Sequence, residues 1–177
     1  MKVQNAKLWR CKICGDPYIG AAPPSRCPFC GAYEKFMVEA REWKETFDVE
    51  LNEKDLENAR HALEVEISNA QFYFCAAKKS NDEETKNLFK ALGKVEAEHA
   101  SVWKKILKME KVEIPEYDKC SAETMDNLKE SHEREERAIK FYREAAKASE
   151  NPRVKQIFGA FVQVETDHLK LSEERMK

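Results

Sequence analysis

The sequence predicts a mainly α chain in two modules, a small cysteine-knuckle domain followed by a four-helix bundle built from two similar hairpins. Three observations carry that prediction. Residues 9–36 hold four of the six cysteines, four of the six prolines and three of the five glycines. Residues 53–177 are instead rich in Ala, Glu, Lys and Leu, with apolar positions recurring every three or four residues. The chain also repeats itself: at an offset of 69 residues, 61–108 aligns with 130–177 without a gap, and 15 of the 48 positions are identical.

Composition narrows the functions available. At 177 residues and 42% apolar content there is room for one packed domain and a small appendage. The 31 basic and 33 acidic residues nearly cancel to a net charge of -2, which argues against a broad electrostatic grip on nucleic acid. No apolar run approaches the roughly 18 residues of a membrane span, and the opening MKVQNAKLWRCKIC lacks the pattern of a signal peptide. A cytoplasmic, non-membrane address is the expectation.

The first module, residues 1–36, carries Cys11-Lys12-Ile13-Cys14-Gly15 and Cys27-Pro28-Phe29-Cys30-Gly31, with twelve residues between Cys14 and Cys27. A two-residue gap lets both thiolates of a knuckle face one point, and the following Gly lets the backbone N–H groups curl toward the sulfurs. Two knuckles close a tetrahedral cage of four sulfurs that accepts iron or zinc, so spacing alone leaves a structural zinc ribbon open. Disulfides are disfavoured in a chain with no secretion signal. Residues 37–52 read as a linker.

Breaks at Ser80-Asn81-Asp82, Ile114-Pro115-Glu116-Tyr117-Asp118 and Ser149-Glu150-Asn151-Pro152 divide 53–177 into four helices of roughly 25 residues, about 40 Å each. Asn52, Asn81 or Asp82, Ser121, and Asn151 with Pro152 are placed to cap them. The connection from about Lys111 to Ala122 reaches roughly 40 Å when extended, enough to cross the whole bundle and start the third helix at the far end.

Charged groups interrupt the apolar stripes at matching places. The first helix presents Ala59, Leu63, Glu66, Ala70, Tyr73 and Ala77; the third presents Leu128, Glu135, Ile139, Tyr142 and Ala146. The second presents Leu88, Leu92, Val95, Glu96, His99, Val102 and Ile106, and the fourth Ile157, Phe161, Val164, Glu165, His168 and Leu171. Four carboxylates buried without a partner cost several kcal/mol each, so their convergence calls for positive charge. In Glu96-x-x-His99 and Glu165-x-x-His168 a three-residue step puts carboxylate and imidazole on one face, where one metal can take both. Hard oxygens with two imidazoles suit a pair of iron or manganese ions.

With these motifs in place, both modules resemble one family, rubrerythrin. Residues 53–177 are similar to its ferritin-like di-iron four-helix bundle through Glu66 with Tyr73, VEAEH ending at His99, Glu135 with Tyr142, and VETDH ending at His168. CKICG and CPFCGAYEKF are similar to its rubredoxin-like four-cysteine iron domain, here at the N-terminal side as in a reverse rubrerythrin. The resemblance implies a non-haem peroxidase: electrons enter at an Fe(Cys)4 centre of Cys11, Cys14, Cys27 and Cys30. They pass to a di-iron site of Glu66, Glu96, His99, Glu135, Glu165 and His168, and reduce hydrogen peroxide to water in oxidative-stress defence. Tyr73 and Tyr142 would hydrogen-bond ligands or quench oxidising equivalents.

The pattern departs from the family at one point. Peroxidase members carry a further carboxylate one turn after the third helix's glutamate, where this chain has Ala138, followed by Ile139. The remaining six-residue set equals that of ferroxidase bundles, so iron handling is the rival function, and His132 is the spare ligand nearby. Cys75 and Cys120 read as buried or incidental thiols, His61 as solvent-facing and Trp9 as a shield for the cysteine site. An unidentified reductase or rubredoxin-like donor, a homodimer or higher oligomer, and electron transfer between subunits complete the expectations.

Overall fold

The computed structural model describes residues 5–177. Its first part is a three-stranded antiparallel sheet in the order β2-β1-β3, from β1 (Lys7–Cys11), β2 (Pro17–Gly20) and β3 (Met37–Glu39). The register sets Trp9 opposite Tyr18 on one side and Glu39 on the other. The sheet is too small to bury a core of its own, and the four cysteines, all buried, fill its place with Ile13, Ala32 and Met37.

The four expected helices follow: α1 (Glu53–Lys79), α2 (Glu83–Ile106), α3 (Thr124–Ala148) and α4 (Pro152–Arg175). Asn52 accepts from the Asp55 amide, Asp82 from that of Thr85, and Asn151 from those of Arg153 and Val154, so three of the expected caps are made. The third is a correction. Ser121 lies before α3, whose N-cap is Glu123 without a side-chain bond; Ser121 Oγ accepts from the Glu123 amide at 3.0 Å and donates to Asp126 at 3.1 Å, which makes a turn rather than a cap.

The crossover reaches across the bundle as its length allows. Lys79, at the end of α1, donates to the carbonyls of Asp118 and Cys120 just before α3 begins. Since α2 returns antiparallel to α1, the chain from Leu107 to Glu123 must span the bundle's length, and α3 runs antiparallel to α1. A disulfide, Cys75–Cys120, fixes this arrangement. The reading of both residues as free thiols is thereby corrected: Cys75 faces the crossover rather than the bundle axis, a pairing across 45 residues that helical periodicity does not display.

Two aromatic-rich clusters flank a polar layer at mid-bundle. One gathers Phe72, Tyr73, Phe89 and Leu92 around the disulfide; the other joins Trp103, Phe158, Phe161 and Tyr142 to the cysteine module. The stripe residues hold their places except Leu88, Val95, Ala146 and Leu171, which are half-buried, while Phe89 and Trp103 are core residues outside the expected stripe.

Candidate metal centres

In the cysteine cage, Cys11 Sγ lies 3.7 Å from Cys30 Sγ, and Cys14 Sγ lies 3.8 Å from Cys27 Sγ. A tetrahedral ion about 2.3 Å from each thiolate sets its sulfurs about 3.8 Å apart, so the cage has the dimensions of a tetrathiolate site. The amides of Ile13 and Asp16 point at Cys11 and Cys14 Sγ at 3.3 and 3.4 Å. The backbone thus curls toward the sulfurs as expected, while the Gly15 and Gly31 amides bond the carbonyls of Cys11 and Cys27. Their positive φ values, 87° and 71°, are what bring each knuckle round.

Trp9 packs against the cluster that holds the four cysteines, as expected, but it is not alone. Trp9 donates to the Gly20 carbonyl, whereas Trp43 donates to the Cys11 carbonyl at 3.3 Å and, with Phe47, packs over Gly15. Both belong to the segment 37–52 expected as a linker, whose strand β3 and buried Phe47 make it part of the folded module. Arg153, nine-tenths buried at the start of α4, donates to the Ile13 and Thr46 carbonyls. Burial pushes its pKa down to about 10 although the cysteines oppose that shift. No sequence signal marked Arg153, Trp43 or Phe47, because each acts on a segment distant from it in the chain.

At mid-bundle the six residues predicted from the duplicated stripes converge in two buried quartets: Glu66, Glu96, His99 and Glu165; and Glu96, Glu135, Glu165 and His168. Glu96 and Glu165 belong to both. His99 Nδ1 lies 3.1 Å from Glu165, 3.5 Å from Glu66 and 3.6 Å from Glu96; His168 Nδ1 lies 2.8 Å from Glu165 and 3.0 Å from Glu96. His132 is not in either quartet; its Nε2 faces Glu136 at 3.6 Å on the outer side.

These donors match a dinuclear site. Both oxygens of Glu96 and Glu165, Glu66 Oε2, Glu135 Oε2 and both Nδ1 atoms are buried without a hydrogen-bond partner among the described residues. Burial, reinforced by the neighbouring carboxylates, drives the pKa values of Glu66 and Glu135 far up. Burial acts the same way on Glu96 and Glu165, yet the two imidazoles hold both below the ordinary carboxylate range. Two divalent ions would balance the four carboxylates and give every orphaned donor a partner.

Outer contacts orient these groups. Tyr142 donates to Glu66 Oε1 at 2.5 Å, and Tyr73 donates to Glu135 Oε1 while pairing with Ser131 Oγ at 2.8 Å. Each tyrosine therefore crosses to the glutamate of the opposite hairpin. His99 stacks on Phe161 with ring centroids 3.9 Å apart. Its Nε2 donates to the Cys30 carbonyl at 2.9 Å, which leaves Nδ1 as the nitrogen turned toward the carboxylates.

That bond joins the two centres within one chain. The module is held there by Lys105 on the Cys14 carbonyl at 2.7 Å and by Asp167, which accepts from Arg26 and Tyr33 at 3.0 and 3.1 Å. Close approach, the reason for expecting transfer between subunits, is thus met inside the protomer. Gly31 controls the fit, since a Cβ there would stand 2.8 Å from Val164 Cγ1. Gly31→Ala is expected to lift the knuckle from α4, break the Cys30–His99 bond and speed hydrogen exchange of the amides at that face by at least about tenfold. Hydrogen-exchange mass spectrometry measures that rate.

The family model for the ferritin-like domain matches residues 54–174, and that for the rubredoxin-like domain of rubrerythrin matches 9–37. Among curated proteins, reverse rubrerythrin-1 of Clostridium acetobutylicum is 28% identical over 112 residues, a match spanning 57% of this chain and 62% of that protein. No solved structure matches.

Proposed function

Since the chain belongs to the ferritin-like family and carries rubrerythrin's rubredoxin-like domain ahead of its bundle, we propose that it is a di-iron peroxidase fed through an Fe(Cys)4 centre. The observation that supports this most is the pair of buried quartets sharing Glu96 and Glu165. Two ions sharing carboxylates can act on one small molecule together. When bound, reduced iron supplies the two electrons that, with two protons, break the O–O bond of hydrogen peroxide and release two waters.

The protein's own groups divide the remaining tasks. Glu66, Glu96, His99, Glu135, Glu165 and His168 hold the pair, while Tyr73 and Tyr142 fix Glu135 and Glu66 and keep their protons, their pKa values driven far up by burial and the adjacent glutamates. The Cys30 carbonyl and His99 form the route from Cys11, Cys14, Cys27 and Cys30, and the electrons reach the cage from an external reductase or rubredoxin-like donor. Trp43 and Phe47 keep water from the cage.

The test is reoxidation of the fully reduced protein. Hydrogen peroxide should act much faster than dioxygen, and the cysteine module should carry iron. Similar rates with mineral formation on excess Fe(II) would favour the ferroxidase reading, for which the alanine at 138 speaks; a colourless, zinc-filled module would remove the relay.

A further inference from the structure

Between α1 and α3 a cavity of about 450 Å³ opens on the outside of the bundle, lined by His61, Ser68, Asn69, Arg134, Ala138 and Phe141 among others. Its floor is one helical turn from the metal-site glutamates of both helices: Asn69 stands three residues after Glu66, and Ala138 three after Glu135. The 69-residue offset makes them counterparts. Three-residue spacing puts each on the face of its glutamate. Neither is a surface residue, with Asn69 3% and Ala138 2% exposed.

Asn69 is the unusual member. Its Oδ1 accepts from Arg134 Nη1 at 3.3 Å, and the same nitrogen donates to Ser68 Oγ at 3.1 Å, while Asn69 Nδ2 is buried without a hydrogen-bond partner among the described residues. An unpaired buried amide is costly, and a visiting acceptor recovers that cost. The arginines around it are paired already: Arg134 with Glu130 at 2.8 Å, and Arg137 with Glu130 and Glu133 at 3.7 Å. A lining rich in hydrogen-bonding groups but balanced in charge suits a small uncharged polar molecule better than an ion.

We propose that this cavity is the entrance through which an uncharged, peroxide-sized oxidant reaches the di-metal site, with Asn69 Nδ2 as its hydrogen-bond donor on the way in and Ala138 as the threshold. The proposal rests on the peroxidase reading for the identity of the oxidant, and on geometry alone for the route. Ala138 then has a use: a small side chain at the cavity's buried edge obstructs a small molecule less than a longer one would.

Two measurements test it. In Ala138→Cys the new thiol is the one cysteine outside the cage and the disulfide. In the folded, metal-loaded protein, neutral methyl methanethiosulfonate should modify it at least about tenfold faster than the sulfonatoethyl and trimethylammonioethyl analogues, relative to a surface thiol. A thiol that resists the neutral reagent, or that reacts equally with all three, overturns the route. In Asn69→Leu, reoxidation by hydrogen peroxide should slow about tenfold at unchanged metal content, as for one lost hydrogen bond on the path. An unchanged rate overturns the donor role, and would point to the second cavity, lined by Gly31, Asp167 and His168, as the entrance. Selective labelling at position 138 in a chain that reduces no peroxide would sink the peroxidase reading and leave the entrance standing.

Discussion

Replacing Glu96 with alanine is expected to empty both positions of the dinuclear site, whereas replacing Glu66 empties mainly one. Glu96 belongs to both quartets and lies 3.0 Å from His168 Nδ1 and 3.6 Å from His99 Nδ1; Glu66 belongs to one quartet alone. Metal analysis should therefore fall from about three ions per chain to about one in Glu96→Ala and to about two in Glu66→Ala, the cage ion remaining in each case. Because changing even an outer contact of a metal site costs roughly 10–100-fold, loss of a shared ligand should lower the proposed peroxide reduction by more than about a hundredfold. The same pattern should appear on the other side of the site for Glu165→Ala against Glu135→Ala. Equal metal loss in the Glu96 and Glu66 variants would mean that the two positions are not joined through shared carboxylates.

The second large effect is on stability. Cys75–Cys120 closes a loop spanning 45 residues that contains all of α2. Without it the unfolded chain regains the freedom of that loop, a loss of about 2–4 kcal/mol to the folded state. For a chain of this size that corresponds to a melting point lower by roughly 10 °C. Cys120→Ser, and the parent protein under a reductant strong enough to open the bond, should both show this shift in calorimetry. The metal content of the cage should be the same before and after. Identical melting of parent and variant would show that the Lys79 bonds to the crossover carbonyls suffice to hold it.

The helices and the dinuclear site were legible because each was written twice. A single glutamate on an apolar stripe says little, but Glu66 and Glu135 at matching places, with Glu96-x-x-His99 and Glu165-x-x-His168 at matching places, cannot all be solvated. The cysteine cage was legible from local spacing, since each knuckle is complete within four residues. What escaped depends on contacts between distant segments. Cys75 and Cys120 have no shared motif, and Trp43 and Phe47 lie in a stretch whose composition resembles a connector. Arg153 looks like an ordinary first-turn residue until its guanidinium is seen beneath the cage. Ser121 failed as a cap for a different reason: its Oγ accepts from the amide of Glu123, which is still outside the helix, and the turn so made delays the helix to Thr124.

The order of segments along the chain has a consequence for biogenesis. Glu165 and His168 lie on α4, and Glu165 is needed by both quartets, so neither metal position exists until α4 has left the ribosome. The cysteine module, by contrast, has its sheet and four thiolates by residue 39 and its covering Trp43 and Phe47 by residue 47, before α1 begins at Glu53. Domains fold in the order of their synthesis. A nascent chain can thus complete its four-cysteine cage first, and the cluster of carboxylates and histidines is assembled only when that cage is already in place to dock against His99.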